Sequence, residues 1–207
     1  MVLLDQTRSL GDCPIHLIKS DQAAGRSLLF LHGMKFTAAT WRDLGTLDKV
    51  AAAGHGALAL DLPGFGASPP CDRAPVEVVR QLVLDQKMVR PVLVGPSMGG
   101  AVALDFALAY PDLIGGLVLV GAVGVEERRE QLAAINVPTL IVWGSEDAIS
   151  PLANGHLLAQ RIPGARLVLI QGAPHPCYLE QPDIWHWELT GFLAEHFGIV
   201  RKNEKNS

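Results

Sequence analysis

The 207-residue sequence is poor in cysteine, in aromatic residues and in charge, and each shortage narrows what the chain can be. Three cysteines, Cys13, Cys71 and Cys177, form no CxxC pair and no closely spaced set, so the expectation is a cytoplasmic protein with reduced thiols rather than a disulfide scaffold. Charged residues make up 18% and the net charge is −4, which offers no long-range attraction to nucleic acid or to an anionic membrane, and neither partner is expected. No apolar run approaches the ~18 residues of a spanning helix, and the opening MVLLDQTRSLGDCP lacks the basic region and the longer apolar core of a signal peptide. No GxxxxGK or GxGxxG phosphate loop occurs and no His/Cys/Asp group has metal-ligand spacing, so neither cofactor nor metal is expected. What is abundant is apolar side chain, at 49%, enough for a large core and far from the composition of a disordered chain.

The apolar residues are grouped in short runs: Leu28–Leu31, Ala57–Leu60, Pro91–Val94, Leu117–Val120, Leu140–Val142 and Leu167–Ile170. Each run is continuous rather than alternating, as in strands of a parallel sheet covered on both faces. His16–Lys19 adds a candidate antiparallel edge strand. Helical patterns fill the gaps, over Thr40–Ala53, Pro75–Met88, Gly99–Tyr110, Pro151–Arg161 and Gln181–His196, the last with Trp185, Leu189, Phe192, Leu193 and His196 on one face. Alternating strands and helices predict a doubly wound, mostly parallel α/β sheet in a single domain over residues 1–200, followed by a polar tail at 201–207. Right-handed crossovers would collect the functional loops at the carboxyl ends of the strands.

Four loops carry chemistry. Gly95-Pro96-Ser97-Met98-Gly99 lies between a strand and a helix, where a nucleophilic serine sits in a tight turn that only small neighbours permit. His32-Gly33-Met34 follows the first strong strand. The backbone amides of Met34 and Met98 are the expected oxyanion donors, with the His32 side chain a structural support. Trp143-Gly144-Ser145-Glu146-Asp147 follows another strand, and Asp147, in preference to Glu146, falls in the Ser, Asp, His order of this kind of site. Gly172-Ala173-Pro174-His175-Pro176 supplies a loop histidine suited to act as general base. Phe36 and Ile149 are expected pocket walls beside Met34 and Met98, and Lys35 would attract an anionic substrate if it is not simply solvated. The turn Asp61–Ser68 reads as structural, and Cys177 as a small buried hydrophobe.

These motifs, in this order, resemble the α/β-hydrolase superfamily over nearly the whole chain. The stretches LLFLHGMKFTAATWRDLGTL (28–47), ALDLPGFGAS (59–68) and GAPHPCYLEQPDIWH (172–186) are similar to a small group without a cap, typified by alpha/beta hydrolase domain-containing protein 14. The resemblance implies the α/β-hydrolase fold without a lid, a serine–aspartate–histidine set at Ser97, Asp147 and His175, and a small-molecule acyl substrate. The expected chemistry is carboxylesterase-like acyl transfer through Ser97. An acyltransferase or deacylase passing the acyl group to coenzyme A or another acceptor is the alternative, and a non-catalytic interaction protein on the same fold is a third.

Overall fold

The computed structural model describes residues 2–20 and 25–198, so the expected polar tail at 201–207 lies outside the described residues. Eight strands form one sheet: β1 (Leu3–Leu10), β2 (Cys13–Ser20), β3 (Ser27–Phe30), β4 (Gly56–Leu60), β5 (Val92–Pro96), β6 (Gly116–Val120), β7 (Thr139–Gly144) and β8 (Arg166–Ile170). Their order is β1-β2-β4-β3-β5-β6-β7-β8, with β1 and β2 antiparallel and the remainder parallel. The chain leaves β3 toward β4 on one side and then crosses to β5 on the other. This reversal opens a crevice beyond the carboxyl ends of β3 and β5, the usual ligand position in an open α/β sheet.

The continuous apolar runs are explained by burial on both faces. Leu29, Leu93, Leu117, Leu119, Ile141 and Trp143 pack on one side with α3 (Pro75–Asp85), α4 (Met98–Ala109) and α5 (Leu152–Arg161). Leu28, Phe30, Val92, Val94, Val118, Val120, Leu140 and Val142 pack on the other with α1 (Ala38–Asp43), α2 (Thr46–Ala52), α6 (Cys177–Glu180) and α7 (Pro182–Phe197). Successive strand residues alternate between these two cores, as the period of two requires. Each fully buried side chain of this size contributes about 1.5–3 kcal/mol.

Several expectations change. The helix expected over Thr40–Ala53 is two helices, because Gly45 takes φ +76 and starts a new helix direction. The strand around His16 is not the edge. It is flanked by β1, which has few buried side chains and therefore no continuous apolar run to betray it. On α7 it is His186, not His196, that joins Trp185, Leu189, Phe192 and Leu193 in the core.

The largest correction concerns cysteine. Cys13 and Cys71 form a disulfide with a Cα–Cα distance of 5.5 Å, which removes cysteine usage as an argument for a reducing, cytoplasmic setting. They are 58 residues apart in sequence, but antiparallel pairing of β2 with β4 carries Cys13 to the end of the sheet from which the loop after β4 emerges. Only Cys177 is free. Among the described residues, no helix is long and apolar enough to cross a membrane.

Candidate active site

Ser97 sits between β5 and α4 with φ +51 and ψ −117, a conformation that costs a non-glycine residue of order 1–3 kcal/mol. The surroundings hold it there. The Ser97 amide donates to Val120 O at 2.9 Å, and the Ser97 carbonyl accepts from the amides of Gly100 and Ala101 at 3.0 and 3.2 Å. A side chain at Gly95 would collide with the Gly99 carbonyl, and a Cβ at Gly99 would lie 2.7 Å from His32 O. The glycines of the motif are thus required by the approach of strand, helix and neighbouring loop.

The loop after β3 is braced from three directions. Trp41 Nε1 donates to Leu31 O at 2.7 Å. The His32 ring accepts from the Leu62 amide on Nε2 at 3.0 Å, which leaves the proton on Nδ1 to be donated to Gly33 O at 2.9 Å. Burial lowers the His32 pKa, consistent with this neutral form, and the ring serves as a strut between loops. A buried Asp61 ties the same region down: its carboxylate accepts from the Ala38 amide at the start of α1, from the Ala67 amide and from His16 Nδ1, at 2.6, 2.9 and 2.8 Å. Among the described residues, the amides of Met34 and Met98 donate to no protein acceptor, so both are available to a ligand.

Asp147 and His175 come together from the loops after β7 and β8. Asp147 Oδ1 accepts from the amides of Ile149 and Ser150 at 2.9 and 2.8 Å, and Oδ2 lies 2.8 Å from His175 Nδ1. The carboxylate is fully buried, whereas Glu146 is exposed, so it is Asp147 that meets the histidine. An ionised carboxylate only accepts, so Nδ1 carries the proton and the Nε2 lone pair is free. Nε2 is buried and has no partner among the described residues, and the Ser97 hydroxyl makes no hydrogen bond to it in this conformation.

Ser97 and His175 face one small cavity of about 10 Å³, lined also by Gly33, Phe36, Pro96, Val120, Pro176 and Tyr178. Phe36 is a wall of it. Ile149 is not: its amide is consumed by Asp147 and its side chain is 67% exposed. The Met34 side chain is equally exposed, and neither Met34, Met98 nor the exposed Lys35 lines the cavity. Burial, reinforced by the Asp147 charge, pushes the Cys177 thiol up to about 12, and its packing is that of an inert apolar group.

Sequence reading missed Gly121, Val120, Pro176 and Tyr178. Gly121 matters most. It follows β6 directly with φ +52, and a Cβ there would stand 3.0 Å from Asp147 Oδ2 and 3.2 Å from His175 Nδ1. A glycine directly after a buried strand was the available signal, and it says nothing by itself about which loops lie above.

Comparison with known proteins agrees with the fold. The family model described as alpha/beta hydrolase fold matches residues 26–133. A Rattus norvegicus protein named as a candidate protein-lysine deacylase, ABHD14B, is 37% identical over 182 residues, covering 84% of this chain and 86% of the relative. The Homo sapiens protein ABHD14A is 36% identical, covering 88% of this chain and 70% of its own length. A solved Thermoplasma acidophilum structure, described as a predicted CIB-like hydrolase, superposes with a TM-score of 0.90 at 29% identity, covering 94% of this chain and 99% of that one. With an eight-stranded sheet, a serine elbow and relatives matched over most of their length, this chain belongs to the α/β-hydrolase fold family, as an alpha/beta hydrolase domain-containing protein 14-like member.

Proposed function

We propose that this hydrolase cleaves small-acyl esters through an acyl-enzyme on Ser97. The observation that carries the reading is the pairing of a fully buried Asp147 with His175 at 2.8 Å, which leaves His175 Nε2 unpaired beside the cavity that Ser97 also faces. In the proposed reaction Ser97 Oγ attacks the carbonyl carbon while Nε2 takes its proton. The amides of Met34 and Met98 hold the oxyanion, and His175 passes the proton to the departing alcohol. Water, activated by the same histidine, then releases the acid. At about 10 Å³ the cavity lies far below the ~300–1,000 Å³ of drug-sized sites, which favours a short acyl group.

A second reading has the same chemistry with a lysine-bound acyl group as donor and coenzyme A or another molecule as acceptor. It is favoured by the name of the ABHD14B relatives and by a β6–β7 connection that holds two single helical turns and no inserted domain. Labelling with a fluorophosphonate and peptide mapping tests the shared nucleophile: modification at Ser97 is expected, and folded protein that stays unlabelled there refutes both readings. Ser97→Ala should lower turnover of a short-chain aryl ester by ~10³-fold or more. Acyl-coenzyme A formed from an acyl-lysine peptide, with no ester turnover, would favour the second reading.

A further inference from the structure

Tyr178 has a hydroxyl that nothing among the described residues satisfies. Its ring is fixed, stacked on Trp41 with centroids 5.1 Å apart and edge-on to Trp185 at 6.2 Å and to Phe36 at 6.4 Å. The residue is only 2% exposed, yet its oxygen hydrogen-bonds to no atom among the described residues. A buried phenol ordinarily has a partner. Among the described residues, His175 Nε2 is the one sealed side-chain nitrogen or oxygen without a partner, so the equally unpaired Tyr178 oxygen keeps what little exposure the residue has. Tyr178 is itself one of the residues that line the cavity faced by Ser97 and His175.

We infer that Tyr178 is a specificity residue, and that the acyl group this site takes is a short one bearing a neutral oxygen: a hydroxyacyl or ketoacyl group. The inference rests on the acyl-enzyme reading above and names its substrate class. Three acyl types compete for the cavity. A plain alkyl chain would displace solvent from the phenol and leave it with no partner, a loss that sites built to hydrogen-bond a substrate oxygen use to reject the analogue lacking it. A chain ending in carboxylate would bring a second negative charge toward the buried Asp147 with no cationic side chain on the cavity wall. A hydroxyl or ketone oxygen satisfies the phenol at no charge cost. Burial raises the Tyr178 pKa, so the phenol stays protonated and able to donate at any working pH. The remaining walls, Phe36, Val120 and Pro176, are apolar and supply no competing donor from a side chain.

The test compares kcat/KM for two methylumbelliferyl esters of equal chain length, 3-hydroxybutyrate and butyrate, in wild type and in Tyr178→Phe. The wild type is expected to prefer the hydroxyacyl ester by tenfold or more, and Tyr178→Phe to cut that ratio by tenfold or more. A wild-type ratio near one, or a ratio that survives the substitution within twofold, overturns the inference while leaving the serine hydrolase reading intact. The wild-type ratio decides alone if the variant fails to fold, which its thermal midpoint reports. Turnover of neither ester together with an unlabelled Ser97 overturns both.

Discussion

Replacing Gly121 with alanine separates what the backbone of this site needs from what its chemistry needs. The substitution has two consequences that can be told apart. Alanine at φ +52 suffers the left-handed penalty of roughly 1–2 kcal/mol, which for a chain of this length lowers the thermal midpoint by about 2–8 °C. The added Cβ also arrives 3.0 Å from Asp147 Oδ2 and 3.2 Å from His175 Nδ1, a few tenths of an ångström inside ordinary contact. Asp147 is pinned by the amides of Ile149 and Ser150, so the imidazole is the group that must give way. A misplacement of 1 Å can cost ~10²-fold in rate, so a shift of about half that predicts a loss near tenfold in kcat with little change in KM. Gly164 supplies the control. It has φ +71, and a Cβ added there would meet nothing within 4 Å, so Gly164→Ala carries the same strain with no intrusion. Thermal melts and ester turnover on both variants are the assay. Equal kcat in Gly121→Ala and Gly164→Ala, with both destabilised, would refute the claim that the space above Gly121 sets the His175 position.

Two further expectations concern stability. Reducing the Cys13–Cys71 bridge, which closes a 58-residue separation, should remove about 4 kcal/mol, or about 1–2 M in the urea midpoint at a slope of about 2–3 kcal/mol per M. An unchanged midpoint with reductant would show that the bridge adds nothing. Burial holds His32, His55 and His186 below their ordinary value of 6.5, so the unfolded chain binds more protons and stability falls as pH drops from 7 through 6.5 toward their folded values. His16 acts in the opposite sense: burial alone would lower its pKa, but hydrogen bonds and charge from Asp5 and Asp61 raise it, and its contribution fades as pH climbs above 6.5. Three groups against one predict a lower urea midpoint at pH 5.5 than at pH 7, and a higher one would contradict the burial argument.

The parts of this molecule legible in the sequence are those set by local patterning. Continuous apolar runs mark six strands of the parallel sheet because both faces are buried, and the spacing of glycines around Ser97 reflects a close approach that Gly95 and Gly99 alone permit. Chain order points to Asp147 over Glu146, and in the fold Asp147 is the buried acid and Glu146 the exposed one. What was not legible depends on non-local placement. Cys13 meets Cys71 only because β2 lies against β4. Ile149 turns outward because its amide, not its side chain, is what Asp147 uses. β1 exposes most of its residues and so carries no apolar signature. Gly121, in the loop after β6, and Tyr178, on α6, reach the site from segments whose proximity emerges only once the sheet order is known.

The link from β6 to β7 has a kinetic implication. It holds two single turns of 3-10 helix, Glu126–Arg128 and Leu132–Ala134, where a cap would be inserted. A substrate approaching the proposed nucleophile crosses no hinged cover in that stretch, and a product leaving it waits for none to swing open. Where no cap motion sets the pace, the two halves of the proposed acyl-enzyme cycle would be timed by bond making and breaking. The electron demand of the departing alcohol would then be written directly into the observed rate until release of the acyl group takes over.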